Sequence, residues 1–262
     1  TVTLHLELRG RGDKAAPAVL LSAGLGGLGH FWAPQLAMLE QTHRVILYDH
    51  RGTGQSPRAL PPGHDIAAMA EDALAVLDAA GVASAAVLGH ALGGAIGLEM
   101  ALRAPERVSR LVVVNGWLKP DPHMRRCFAI RRDILLASGP AAYLRAQPIF
   151  LYPAAWIAAH DTTLQAEERA ALAHFPPTET VLARIAAILG SDFTGRLAAL
   201  DTPVLLIANQ DDMLVPAAQS ESLRTALPHA QLAPMRRGGH ASSVTEAASF
   251  NALLGAFLLA PE

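Results

Sequence analysis

Gly89-His90-Ala91-Leu92-Gly93-Gly94 is the stretch on which the reading of this chain turns. It follows the apolar run Ala85-Ala86-Val87-Leu88 and leads into Ala95-Ile96-Gly97-Leu98-Glu99-Met100, whose apolar positions recur at helical spacing. A buried strand, a sharp glycine-flanked turn and a helix start at this spacing form the frame of a nucleophile elbow, usually Gly-x-Ser-x-Gly. The glycines are needed because the turn is tight and the following helix packs close behind it. The serine is absent. Alanine stands at position 91 and has no nucleophilic atom.

Outward from the elbow, strand and helix patterns alternate. Val2, Leu4, Leu6 and Leu8 share one face of a first strand. Ala18 to Leu21, Arg44 to Tyr48, Leu111 to Asn115, Pro203 to Ile207 and Ala230 to Ala233 read as further strands. Helices are expected at Phe31 to Leu39, Ile66 to Ala79, Pro216 to Ala226 and Ala241 to Leu259. Between Trp117 and Gly195 the strand rhythm stops, and helical patterns broken by prolines replace it. The expected fold class is α/β: a mainly parallel central sheet flanked by helices, with an inserted helical cap. The expected division is 1–116 for the first part of the core, 117–195 for the cap and 196–262 for the second part of the core.

Composition narrows the function classes. The chain has 262 residues, enough for one α/β domain with an insertion, and 51% hydrophobic residues supply its core. A net charge of −2 without a basic patch argues against nucleic acid and anionic membrane as partners. The apolar stretches are too short for a transmembrane helix, and the alternating N-terminus reads as a strand, not a signal peptide. The lone Cys127 cannot form an internal disulfide, which fits a reducing cytoplasm. A small-molecule substrate is the expected partner, and a homodimer is left open.

Two chemistry-bearing residues follow the elbow in the chain order nucleophile position, acid, histidine. Asp212 follows the strand ending at Ile207, and His240 follows the last strand within Arg237-Gly238-Gly239-His240. Asp212 is the expected partner of His240, with Asp211 the second candidate. A buried carboxylate fixes the imidazole tautomer and stabilises the imidazolium formed when histidine takes a proton. Leu25, in the Gly24-Leu25 loop, and Leu92, after the elbow, would supply backbone N–H donors to a developing oxyanion. Gly24-Leu25-Gly26-Gly27-Leu28-Gly29 also contains G-x-G-x-x-G, but Tyr48-Asp49 comes slightly late for the acidic residue of a dinucleotide fingerprint, which leaves a phosphate-binding loop as a poor alternative.

Eleven histidines raise the question of a metal, yet none pair at i, i+4 on a helix or form H-x-H, so neither a metal nor a cofactor is expected. His90 reads as a satisfied buried histidine and Cys127 as a packed thiol. Trp117, Tyr152 and Trp156, with Gly24, are the candidates for the substrate pocket, and Phe150 belongs to the same aromatic group. Arg125, Arg126, Arg131 and Arg132 read as a solvated helix face.

These residues resemble the α/β-hydrolase superfamily over nearly the whole chain: Gly24-Leu25, Asp49-His50-Arg51-Gly52-Thr53-Gly54, the elbow, Asp212 and His240. A closer resemblance is to the pyrimidine-utilisation protein D family of the bacterial pathway that degrades uracil. It is carried by Val114-Asn115-Gly116-Trp117-Leu118, Arg125-Arg126-Cys127-Phe128, Leu151-Tyr152-Pro153-Ala154-Ala155-Trp156, Ala171-Leu172-Ala173-His174-Phe175 and Gly238-Gly239-His240-Ala241. In that family alanine at the elbow is native. The resemblance implies hydrolysis of a small C–N compound, carbamate or 3-aminoacrylate.

A water in the space of the missing side chain would be deprotonated by His240 and attack the substrate carbon. Hydrolases stripped of a triad member keep roughly 10³–10⁴-fold catalysis, too little for a stable amide but enough for a labile compound. Three alternatives stand beside this reading. They are cofactor-free oxygenase or lyase chemistry by a His–Asp pair, a serine hydrolase carrying a Ser-to-Ala substitution at 91, and a non-catalytic binding protein.

Overall fold

The computed structural model describes residues 3–260. Seven strands form one sheet among these residues: β1 (Leu6–Gly10), β2 (Ala18–Ser22), β3 (Arg44–Tyr48), β4 (Ala85–His90), β5 (Val108–Val114), β6 (Val204–Asn209) and β7 (Gln231–Met235). Their order is β1-β3-β2-β4-β5-β6-β7, and all pairings are parallel except β1 with β3. Every residue of β2, β4 and β6 is buried, as expected of strands covered on both faces.

Because side chains alternate along a strand, each strand feeds two cores. Leu20, Ile46, Val87, Leu111, Val113 and Leu206 face one side, against Ala73, Leu77, Ile96 and Met100. Val19, Leu21, Val45, Leu47, Leu88 and Val112 face the other, against Trp32, Leu39, Phe250 and Leu254. The helices that supply these partners are α1 (Ala33–Leu39), α2 (Ile66–Ala79) and α3 (Leu92–Arg103) before the excursion between β5 and β6. That excursion contains α4 (Pro122–Leu151), α5 (Ala154–Ala173) and α6 (Thr178–Gly190). After it come α7 (Ala217–Ala226), α8 (Ser242–Thr245) and α9 (Ala247–Leu258). Met124, Phe128, Tyr143, Val181 and Ile185 join the first core, so α4 and α6 are continuous with the face covered by α2 and α3. Asp65 caps α2 by accepting the Ala68 N–H at 3.0 Å.

Several details differ from the sequence reading. Val2, placed in the first strand, lies outside the described residues. Leu8, which shares a face with Leu4 and Leu6, is 56% exposed: it lies near the end of β1, an edge strand, while Leu4 is buried and Leu6 packs against the first core. The helix expected from Phe31 begins as a 3-10 turn, Gly29–Trp32, with Pro34 in the first turn of α1. The last expected helix is divided at Glu246, where φ is −130°. α4 is broken at Gly139 (φ 78°), just before Pro140.

Arg131 is a correction. Arg125, Arg126 and Arg132 are exposed, but Arg131 is buried. Its guanidinium lies 5.7, 5.1 and 5.5 Å from the ring centres of Phe128, Tyr143 and Phe150, and it donates to the Tyr143 hydroxyl at 2.8 Å. Three aromatic faces supply the attraction that water would give elsewhere. Among the described residues no helix is long and apolar enough to cross a membrane.

Candidate active site

The elbow has the backbone its motif demands. Ala91 sits at φ 49°, ψ −106°, a region that costs a non-glycine residue about 1–3 kcal/mol. Its N–H donates to the Val114 carbonyl at 2.8 Å, which ties the turn to β5. A Cβ at Gly93 would collide with the Ser22 carbonyl, and one at Gly89 with the Gly93 carbonyl, so both glycines are required by close backbone approach. The strained turn is kept with no nucleophile on it.

The Gly93 contact also places the loop after β2 directly against the elbow. Gly24 continues along it, 2.8 Å from the His90 Nδ1 when its missing Cβ is built. Among the described residues the N–H groups of Leu25 and Leu92 donate to no backbone or side-chain acceptor beyond regular helix pairing. Leu92 opens α3, whose N-terminus carries partial positive charge. Leu92 thus presents an unpaired main-chain donor next to the buried methyl group of Ala91, and Leu25 presents another on the loop after β2. The loop is held from behind. Gly27 O accepts the His50 N–H at 2.8 Å and the Thr53 hydroxyl at 3.0 Å, while Asp49 accepts the Gly29 N–H at 2.9 Å.

His240 and Asp212 meet. The His240 Nδ1 donates to Asp212 Oδ2 at 2.7 Å, and both side chains are buried. Asp212 Oδ1 accepts the N–H groups of Leu214 (2.8 Å) and Val215 (2.9 Å), so the carboxylate is fixed on three sides. Asp211 points elsewhere: its oxygens accept the N–H groups of Gly238 (3.0 Å) and Gly239 (2.9 Å) and shape the turn before His240. With Nδ1 protonated toward Asp212, Nε2 of His240 is left as the basic nitrogen.

His90, from the end of β4, packs on His240 with ring centres 4.6 Å apart. Its Nε2 donates to the His240 carbonyl at 2.7 Å. Burial, and then the neighbouring His240, push the His90 pKa down to about 3, so this ring is a neutral support. Asn115 Nδ2 donates to the same carbonyl at 2.8 Å, and its Oδ1 accepts the Asn209 N–H at 3.0 Å. Asn209 in turn accepts from the Ser242 hydroxyl at 2.8 Å.

The aromatic candidates separate. Trp117 is 1% exposed and lies in the core, with its indole N–H on Ser191 Oγ at 2.8 Å. Tyr152 and Trp156 are half-buried, with ring centres 4.4 Å apart and planes tilted by 35°, just beyond Leu151, whose carbonyl accepts the Ala241 N–H at 3.1 Å. Burial raises the Tyr152 phenol to about 12.

Sequence reasoning missed Asn115, Asn209 and Arg184. Arg184 is fully buried on α6, and its Nε and Nη2 donate to the carbonyls of Leu25 (3.0 Å) and Gly24 (3.3 Å). Nη2 also donates to His50 Nδ1 at 2.9 Å. His50 reaches Ser22 Oγ at 3.3 Å, and Ser22 pairs with the Tyr48 hydroxyl at 2.9 Å. Burial, and then the Arg184 charge, push the His50 pKa well down; burial pushes the Tyr48 phenol up and brings Arg184 down to about 10. The available signals were a lone arginine in the apolar run Val181 to Leu189 and an asparagine directly after the apolar run of β5.

Comparison with known proteins agrees with this fold. Residues 17–247 match a family described as alpha/beta hydrolase fold. A protein of Stutzerimonas stutzeri (strain A1501) named "Putative carbamate hydrolase RutD" is 49% identical over 251 residues, covering 96% of this chain and 95% of its own. Its namesake in Caulobacter vibrioides (strain NA1000 / CB15N) is 51% identical over 255 residues, covering 97% and 95%. Among solved structures, the enol-lactonase from Burkholderia xenovorans LB400 superposes with a TM-score of 0.89 at 26% identity, covering 98% of this chain and 96% of its own.

Proposed function

Because the chain belongs to the α/β-hydrolase fold family, together with the carbamate hydrolase relatives above, we propose that it hydrolyses a small C–N compound, carbamate or 3-aminoacrylate, in pyrimidine nitrogen breakdown. The observation that carries this reading is a complete, buried Asp212–His240 pair beside an elbow that holds alanine. A site that had lost its chemistry has no reason to keep a positive-φ alanine, two unpaired amides and a histidine hydrogen-bonded to a carboxylate that is itself fixed on three sides.

The proposed cycle needs no covalent intermediate. His240 Nε2 takes a proton from a water lying over Ala91, and the water oxygen bonds to the substrate carbon. For carbamate, negative charge grows on an oxygen that the Leu25 and Leu92 N–H groups hold. His240 then returns its proton to the nitrogen, the C–N bond breaks, and ammonia and bicarbonate leave. For 3-aminoacrylate, the imine tautomer accepts the same water and collapses to ammonia and the aldehyde acid. Asp212 keeps Nε2 unprotonated at rest and balances the imidazolium between the two steps. A site without a covalent nucleophile keeps only about 10³–10⁴-fold catalysis, which suits compounds that already decompose unaided.

Ammonia release from freshly generated carbamate and 3-aminoacrylate tests the reading. The expected result is a rate above that of buffer for at least one of them, proportional to enzyme. A rate equal to buffer for both would refute the substrate class.

A further inference from the structure

Arg184 is a charge without a counter-charge. Its Nε has one N–H, used on Leu25 O, and its Nη2 has two, used on Gly24 O and His50 Nδ1. The two N–H groups of Nη1 have no partner, although the atom is buried. The partners that it does have are neutral: two carbonyls and a histidine held uncharged by burial. No carboxylate of the described residues pairs with it; the ionisable side chains that interact with it are the imidazoles of His50 and His64 and the phenols of Tyr48 and Tyr143. A buried charge with unfilled donors is costly unless something compensates it.

Its position says what could do so. The carbonyl of Gly24 and the N–H of Leu25 belong to one peptide unit, so the guanidinium lies one peptide away from the proposed oxyanion donor. Nη1, the remaining nitrogen of the fork beside the Nη2–His50 bond, is enclosed with both of its N–H groups unpaired. Gly27 comes close as well: a Cβ there would lie 2.9 Å from Nη2, so this glycine makes room for the guanidinium. Ser22 and Tyr48 close the cluster at the C-terminal ends of β2 and β3, the edge of a parallel sheet at which ligands bind.

We propose that Arg184, positioned by His50 and the Gly24-Leu25 carbonyls, is the anion subsite of this enzyme and selects small monoanions bearing a carboxylate or carbamate group. The inference rests on the hydrolytic reading for its biological meaning, but not for its test. A planar anion accepts from Nη1 and neutralises the guanidinium, while its reactive carbon lies toward the elbow. Neutral amides and esters of the same size lack that contact and are rejected. Nη2 on the Gly24 carbonyl also orients the peptide that presents the Leu25 N–H, so the bound anion and the donor are held by one side chain.

The test uses propionate and its neutral isostere propionamide, titrated by calorimetry at constant ionic strength into the whole protein and into R184Q. Propionate is expected to bind the unaltered protein and propionamide not to bind. R184Q is expected to weaken propionate on the order of 10- to 100-fold, as loss of a charged hydrogen bond implies. Equal binding of the two compounds by the unaltered protein would overturn the subsite, as would a folded R184Q that binds propionate like the parent. Should R184Q fail to fold, the contrast between propionate and propionamide decides alone. H240A separates the two readings: it keeps propionate binding if the subsite is correct, whether or not the parent protein releases ammonia.

Discussion

Asp212→Asn is the sharpest single-atom perturbation of this site. The exchange keeps size and shape and replaces one carboxylate oxygen by NH₂. The Leu214 and Val215 N–H groups, at 2.8 and 2.9 Å from Oδ1, hold that position as an acceptor, so the amide oxygen must stay there. The amide NH₂ then faces His240 Nδ1 across 2.7 Å, donor against donor. The imidazole escapes the clash by moving its proton to Nε2, which removes the basic nitrogen from the water. In a complete serine triad this wrong-tautomer effect lowers the rate roughly 10⁴-fold; here the whole enhancement is about 10³–10⁴-fold, so the loss is at most that, about 4–5 kcal/mol of barrier. The fold should survive, because the two backbone bonds and one donor–acceptor pair persist. The assay is kcat/KM for ammonia release, accompanied by ¹⁵N NMR of His240 to read which ring nitrogen carries the proton. A variant within ten-fold of the parent, or one with an unchanged tautomer, would refute the assignment of Asp212.

Acid should unfold the protein through its buried neutral histidines. His90, with its pKa pushed down to about 3, and His50, pushed well down, stay unprotonated in the fold but bind protons near pH 6.5 when unfolded. The unfolded state therefore holds more protons between about pH 3 and 6.5, and stability falls with pH there by up to about 1.4 kcal/mol per unit for each histidine. Urea unfolding across that range checks the slope. Ala91→Gly removes strain worth about 1–3 kcal/mol at a cost of about 0.5–1 kcal/mol in chain entropy, so the Tm should hold or rise by a few degrees, against the usual direction for glycine. Asn115→Ala deprives the His240 carbonyl of one donor and leaves the buried Asn209 N–H unpaired. A loss of about 2–4 kcal/mol in urea unfolding is expected, with a further fall in activity among molecules that remain folded.

What could be seen in the sequence was whatever is imposed locally on the main chain. Gly89, Gly93 and the apolar run before them identify the elbow because only small residues permit that approach of strand, turn and helix. Asp212 and His240 were identifiable because each follows the end of a strand, in an order that the fold dictates. Contacts between distant side chains left no local pattern. Arg184 meets Leu25 across 159 positions, and Asn115 meets His240 across 125. Arg131 shows how a local rule fails. Within Arg-Arg-Asp it reads as a solvated charge, yet Tyr143 and Phe150 return along the same broken helix to enclose it. Leu8 marks another limit: alternation shows which residues share a face, but not how far along an edge strand that face stays covered.

The central claim is that His240 activates water and that no residue at position 91 is needed. Ammonia release by the parent protein and by His240→Ala, measured on the same preparation of substrate, tests it directly when the intact mass of enzyme quenched during turnover is followed alongside. The account predicts that His240→Ala falls to the uncatalysed rate, while the parent turns over with its mass unchanged. Equal rates in the two proteins, or a covalent adduct on the parent during turnover, would contradict it.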